Sequence, residues 1–289
     1  MRYVIAVGGN ALRSSKVLNK LSAYVALLSG RGDEIVITHG NGPQVGALAL
    51  HSSRSLALLT KQTEAQVGAE IRRSLERAGR NAGAKASVVY TRVVVSARDP
   101  EFANPTKPIG EFYQKAQAVG LARHGFVMKH LLKGYRRVVP SPRPMEIVEL
   151  KKITGLLRRG RIVITAGGGG IAVTRHGSRF RYANAVIDKD LASALLATRI
   201  KADALFILTN VDGVFTGFHT RNARLLRHVS ASRLRKLAQT EHFEPGSVLP
   251  KVMACISFVQ KSRRYAVVGS LSSPRRVMEL KSGTLITSP

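Results

Sequence analysis

The chain has 289 residues, 44% hydrophobic and 22% charged, a composition that builds a globular core and excludes disorder as the main state. One cysteine, Cys255, excludes a disulfide framework and a thiolate zinc cluster, and the eight histidines show no metal-ligand spacing. The formal charge of +29 comes from 30 Arg and 16 Lys against 17 acids, scattered as singles and pairs such as Arg72-Arg73 and Arg275-Arg276. Without a basic tail or block, any nucleic-acid binding is expected to be nonspecific.

Residues 1–12 carry five apolar residues before the first glycines, too few for a signal-peptide core, so Tyr3–Val7 reads as a buried strand. No run approaches the roughly 18 apolar residues of a membrane span, and the expectation is a cytoplasmic protein with no membrane partner. Leu18–Leu28 reads as a helix, Glu34–Thr38 as a strand, Gln44–Ser53 and Thr63–Ala78 as helices, and Ser87–Ser96 as one long strand. Residues 99–137 break the rhythm with Pro and Gly. A helix at Met145–Arg158 and a strand at Ile162–Thr165 restore it. Asp190–Ile200, Ser230–Leu237 and Leu249–Gln260 then read as helices, and Ala204–Leu208, Tyr265–Val268 and Thr284–Thr287 as strands. Such β–α alternation predicts an α/β protein with a central, mostly parallel sheet.

Three strands run into glycine-rich turns at Gly8-Gly9-Asn10, Gly40-Asn41-Gly42 and Gly167–Gly170. In a parallel sheet these turns meet at the carboxyl edge of the strands, where backbone N–H groups can receive an anion. Neither a P-loop nor a GxGxxG fingerprint is present, so a phosphate site must be built another way. Of six Asp in the chain, four (Asp188, Asp190, Asp203, Asp212) fall within 25 residues. Asp190 could cap the apolar helix that follows it or do chemical work, and the sequence leaves both readings open.

Taken together, GGNA (Gly8–Ala11), HGNGPQVG (His39–Gly46), NPTKPIG (Asn104–Gly110), RRVVPSPRP (Arg136–Pro144), GGGGIAV (Gly167–Val173), AVIDKDLA (Ala185–Ala192), LTNVDGVF (Leu208–Phe215) and GSVLPK (Gly246–Lys251) closely resemble carbamate kinase, of the amino-acid-kinase superfamily. The resemblance implies a three-layer α/β/α sandwich. Residues 1–175 would form the carbamoyl half, 176–289 the nucleotide half, and a small protruding subdomain at about 100–140 would cover the acceptor. It implies ATP + carbamate ⇌ ADP + carbamoyl phosphate, with Mg²⁺ and a homodimer. By the same match Lys129, Lys189 and Lys251 bridge acceptor and phosphates, with Asp190 holding the ammonium groups. The backbone of Gly8, Gly9, Asn10, Gly40, Asn41, Gly42, Gly168 and Gly169 cradles carbamate and the moving phosphoryl group. Thr209, Val211, Asp212, Gly213 and Phe215, with Lys251, line the nucleoside pocket, and no residue is assigned to a metal. Departures from the family pattern are Ala172, Asn184 and the stretch Thr63–Gly68 (TEAQVG). Two other readings stand beside this one: a superfamily kinase with a different carboxylate or phosphate acceptor, and a basic nucleic-acid-binding protein with a decayed site.

Overall fold

The strand Arg2–Val7 (β1) shows why the chain folds in layers. Val4 and Ala6 join the apolar cluster on one side of the sheet, Ile5 and Val7 the cluster on the other. Side chains alternate across a strand, so a strand that is apolar at every position needs cover on both faces.

The computed structural model describes residues 1–9, 14–80, 85–131, 133–218, 220–240, 243 and 248–289. After β1 come α1 (Ser15–Gly30), β2 (Glu34–His39), α2 (Gly42–Leu48), α3 (Leu56–Ala78), β3 (Ala86–Val89) and β4 (Arg92–Val94). Next are β5 (Lys107–Tyr113), α4 (Lys115–Arg123), β6 (Met128–Leu131), β7 (Gly134–Val139), β8 (Glu146–Ile147), α5 (Leu150–Arg158), β9 (Ile162–Thr165), β10 (Ile171–His176) and β11 (Arg179–Tyr182). The remainder comprises α6 (Lys189–Arg199), β12 (Ala204–Thr209), β13 (Phe215–Thr216), β14 (Arg224–Leu225), β15 (His228–Ser230), α7 (Ala231–Thr240), α8 (Val248–Ser262), β16 (Tyr265–Ser270), α9 (Pro274–Met278) and β17 (Thr284–Thr287).

Among the described residues the central sheet has eight strands in the order β15-β17-β16-β12-β1-β2-β9-β3. Every pairing is parallel except that of β16 with β17. Helices α1, α3 and α9 bury Leu21, Ile71 and Val277 against one face, while α5, α6, α7 and α8 bury Leu157, Leu196, Leu234 and Phe258 against the other. The result is the mostly parallel α/β/α sandwich that the sequence predicts.

Residues 107–139 build a separate three-stranded antiparallel sheet, β5-β7-β6, carrying α4. An arginine and a backbone bond tie it to the body. Arg137 donates to the Ala49 carbonyl at 2.9 Å and stacks over Phe126, and Val186 N donates to the Pro140 carbonyl at 2.9 Å.

Two expected elements come out differently. The single strand Ser87–Ser96 is broken: β3 pairs with β9 in the central sheet, whereas β4 joins β10, β11 and β8 in a second sheet. The break is at Thr91, whose fully buried hydroxyl bonds the Val89 carbonyl at 2.9 Å and receives Ala166 N at 3.0 Å, replacing ladder bonds. The expected helix Met145–Arg158 begins only at Leu150. Met145 N and Val148 N donate to Val94 and Arg92 carbonyls, and Glu149 accepts Arg92 N at 2.7 Å, so the first residues pair as a strand.

Candidate active site

The turns after β1, β2 and β9 meet at the carboxyl edge of the sheet, where a parallel α/β fold collects its ligands. They meet beside the start of α6, the subdomain strand β5 and the start of α8. Between them lies a cavity of about 160 Å³ lined by Gly9, Gly40, Asn41, Gly42, Gly168, Lys107, Asp188, Lys189, Asp190 and Lys251, with apolar walls from Pro43, Ile109 and Ile187. The contact between turns is close. Gly168 has φ +64°, and a Cβ there would stand 2.1 Å from Asn41 Nδ2, so the Asn41 amide rests directly on the Gly168 backbone.

The charged residues come from three separate elements. At α6 the cap is Asp188, not Asp190: its Oδ1 accepts Asp190 N at 2.8 Å and Leu191 N at 3.2 Å. Its other oxygen takes the ammonium of Lys107, delivered by the first residue of β5. Asp190 is thereby free of capping. One oxygen pairs with Lys189, and the other lies 3.3 Å from Lys251 Nζ, which the first turn of α8 supplies. Three ammonium groups against two carboxylates leave one positive charge in the cavity.

Burial decides how these groups titrate. Desolvation alone would raise the Asp190 carboxyl, but the Lys189 and Lys251 ammonium groups beside it hold it well below the usual carboxylate range. Desolvation works against the Lys251 ammonium too, yet the Asp190 and Asp188 carboxylates push it above the ordinary lysine value. Lys189 stays below its ordinary value through burial, assisted by its neighbour Lys251. An ammonium that gains from any added negative charge therefore faces the cavity.

Of the residues expected from sequence, Gly9, Gly40, Asn41, Gly42, Gly168, Lys189, Asp190 and Lys251 are brought together here. Gly8 and Gly169 stand just behind: Gly8 N donates to the Leu208 carbonyl at 2.9 Å, and Gly169 passes over Ile187. Asn10 lies outside the described residues. Thr209 is buried at the end of β12, next to Gly8. Val211, Asp212 and Gly213 follow it on the turn that leads into β13, which Phe215 begins, and Thr284 Oγ1 receives Val214 N at 2.8 Å. None of these five lines the cavity.

Lys129 is not brought to this cavity. It is exposed on β6, paired in register with Arg136, and does not line the cavity. The subdomain lysine that does is Lys107. The physical reason is position: Lys107 begins β5 where the subdomain leaves the body, whereas β6 lies at the far edge of the β5-β7-β6 sheet. Sequence reasoning gave Lys107 no role and placed Asp188 in the acidic cluster without assigning it to the site. The signals for them were present, as the lysine inside NPTKPIG and as a member of the acidic cluster.

Comparisons with known proteins give the family. The amino acid kinase family pattern matches residues 1–270. A carbamate kinase-like protein of Escherichia coli is 39% identical, over 99% of this chain and 98% of its own. A carbamate kinase of Pyrococcus horikoshii is also 39% identical, over 99% of both chains. Among solved structures, a carbamate kinase from Giardia lamblia bound to AMP-PNP superposes with a TM-score of 0.85 at 32% identity, covering 100% of this chain and 98% of that one. The chain belongs to the amino acid kinase family, and within it to the carbamate kinases.

Proposed function

We propose that this kinase transfers a phosphoryl group reversibly between ATP and carbamate, giving ADP and carbamoyl phosphate. The observation that carries the reading is the convergence of Lys107, Lys189 and Lys251, steadied by Asp188 and Asp190, on a cavity of about 160 Å³ walled by glycine turns. Pockets for drug-sized ligands run to roughly 300–1,000 Å³, so this one suits an acceptor of few atoms.

In the ATP-forming direction a β-phosphate oxygen of ADP attacks the phosphorus of carbamoyl phosphate. The P–O bond to the carbamoyl oxygen breaks, and carbamate leaves as an anion. No proton need move, so the chain supplies position and charge rather than acid–base chemistry. The N–H groups of the turns at Gly9, Asn41–Gly42 and Gly168 receive the acceptor and phosphoryl oxygens. Lys189 and Lys251 offset the charge spread over those oxygens in the transition state, and Asp190 keeps both ammonium groups aimed. Lys107, arriving with the subdomain, completes the charged ring from the acceptor side. The Thr209–Phe215 turn, at the same sheet edge, serves the nucleoside; residues 1–175 and 176–289 then hold acceptor and nucleotide respectively.

The described residues offer Mg²⁺ no cluster of three His, Cys, Asp or Glu side chains, and Asp188 and Asp190 each already hold an ammonium group. Mg²⁺ is accordingly assigned to the nucleotide, as part of the substrate. A homodimer in the cytoplasm belongs to the same proposal, on the family resemblance. No described helix is long and apolar enough to cross a membrane.

The test is a coupled assay for ATP from ADP and carbamoyl phosphate. Rapid turnover is expected, with N-acetylglutamyl phosphate excluded by its size. Comparable turnover with both would favour a superfamily kinase of another acceptor.

A further inference from the structure

Behind the glycine turns lies a buried polar group that the phosphoryl-transfer scheme does not use. Thr63 and Glu64, consecutive on α3, are both fully buried. Asn41 Nδ2 donates to Thr63 Oγ1 at 2.7 Å, and Thr63 returns its own proton to carbonyls one turn back. Glu64 Oε1 accepts Gly167 N at 3.0 Å, and Oε2 faces Thr91 N at 3.4 Å. One step of the helix therefore grips the turn after β2 through Asn41 and the turn after β9 through Gly167.

The grip is tight on the Gly167 side. A Cβ on Gly167 would stand 2.4 Å from His39 Nε2 and 2.9 Å from Glu64 Cγ, so this backbone is wedged between the two side chains. On the other turn, Asn41 is held between Thr63 and Gly168. The two turns cannot separate unless one of these contacts is lost. We propose that Thr63 and Glu64 are positioning residues that lock the Asn41 turn to the Gly167 turn and so set the width of the anion cavity. The inference rests on the carbamate kinase reading for its substrate, though not for its geometry.

A consequence concerns charge. Glu64 makes no ion pair among the described residues. Burial pushes its carboxyl up to about 8, the backbone N–H groups of Gly167 and Thr91 pull only partly back, and the Glu149 carboxylate pushes it further up. From β2, His39 offers no compensating cation. Burial takes the imidazole down to about 4, and Lys189 on α6 reinforces that fall. Glu64 near neutral pH is thus an uncharged carboxylic acid beneath an anion-binding turn. Above about 8 it becomes a buried carboxylate behind the Gly167 turn, and anion binding weakens.

The experiment compares the native chain with Glu64→Gln, Glu64→Ala and Thr63→Val, using Glu70→Gln, exposed on the same helix, as a control. Two readouts are taken from pH 6 to pH 9: kcat/KM for carbamoyl phosphate, and the rise in Tm caused by inorganic phosphate, which needs no turnover. Glu64→Gln keeps one acceptor oxygen, for Gly167 N, but cannot ionise, and should lose the decline through pH 8 in both readouts. Glu64→Ala and Thr63→Val should lower kcat/KM on the order of 10²-fold, the scale of misplacing a site by about 1 Å, and should lose the phosphate effect. An alkaline decline that persists in Glu64→Gln would falsify the proposal, and so would native kcat/KM in a folded Glu64→Ala. A native chain whose phosphate binding depends on Glu64 in this way, yet which makes no ATP, would keep the positioning role and sink the carbamate kinase reading.

Discussion

Two carboxylates in this molecule are each bridged by two basic side chains, and they differ in almost everything but that. Asp190 lies between Lys189 and Lys251 on the floor of the cavity, its side chain 3% exposed. Glu279 lies between Arg275 and Lys281 on the surface, each contact 2.8 Å, with the two cations 69% and 65% exposed. Glu279 is held down to about 2 by its hydrogen bonds to Lys281 and Arg275, so by titration alone the two look alike. What separates them is water. Solvent and salt screen the surface triad, and its geometry can be lost at little cost. The buried triad has no such substitute: each charge depends on the other two, and the imbalance is available to an incoming anion.

The largest effect should come from Asp190→Asn. Asp188 caps α6, so the variant keeps the cap, and any loss reports the charge. Two buried ammonium groups left with only the more distant Asp188 carboxylate should destabilise the fold by about 3 kcal/mol at neutral pH. Because the folded-state carboxyl is depressed, this contribution exists above 3.8, the ordinary value, and the native chain loses it as the pH falls below. Native and variant Tm values should therefore converge in acid. Turnover should drop by two orders of magnitude or more, the scale of losing one preorganised electrostatic group. A stable variant with near-native turnover would reduce the buried triad to the rank of the surface one.

Next in size is the contrast between two subdomain lysines. Lys107→Ala removes the ammonium that reaches Asp188 and should cost on the order of 10²-fold in kcat/KM for carbamoyl phosphate. Lys129→Ala should stay close to the native rate, since Lys129 is exposed on β6. The reverse ranking would restore the family register that the sequence suggested.

That register shows where sequence reasoning reaches its limit. The sandwich was legible because β1, β9, β12 and β16 are apolar at most positions, β2 carries the run Ile35-Val36-Ile37, and these strands alternate with amphipathic helices. The glycine turns were legible because a parallel sheet must collect them at one edge. What could not be read were features set by contacts distant in sequence. Thr91 breaks a continuous β-favouring run because Glu64 and Ala166 take its hydrogen bonds. Residues 145–149 pair with β4 despite a helical pattern, because Glu149 holds Arg92 from 57 positions away. Asp188, rather than Asp190, caps α6, a two-residue difference that periodicity cannot resolve. Among the lysines only tertiary position distinguishes Lys107 from Lys129.

The smallest effect should be the surface triad itself. Glu279→Gln leaves Arg275 and Lys281 in place, both largely exposed and able to turn to water. Turnover should be unchanged. A small loss of stability should appear at low ionic strength, where Arg275 and Lys281 would face each other without the acid between them, and should vanish in high salt as the Debye length shortens to about 3 Å at 1 M. The pH dependence has the same sign as for Asp190. The depressed carboxyl contributes above 4.5, its ordinary value, and the contribution disappears as the pH falls towards about 2. Salt therefore distinguishes the two triads where pH does not. The Tm difference between native and Glu279→Gln should collapse from low to high salt, while that between native and Asp190→Asn should persist. If high salt erased both, the Asp190 triad would be open to solvent, and burial could not be what turns an acid between two bases into a phosphoryl-transfer site.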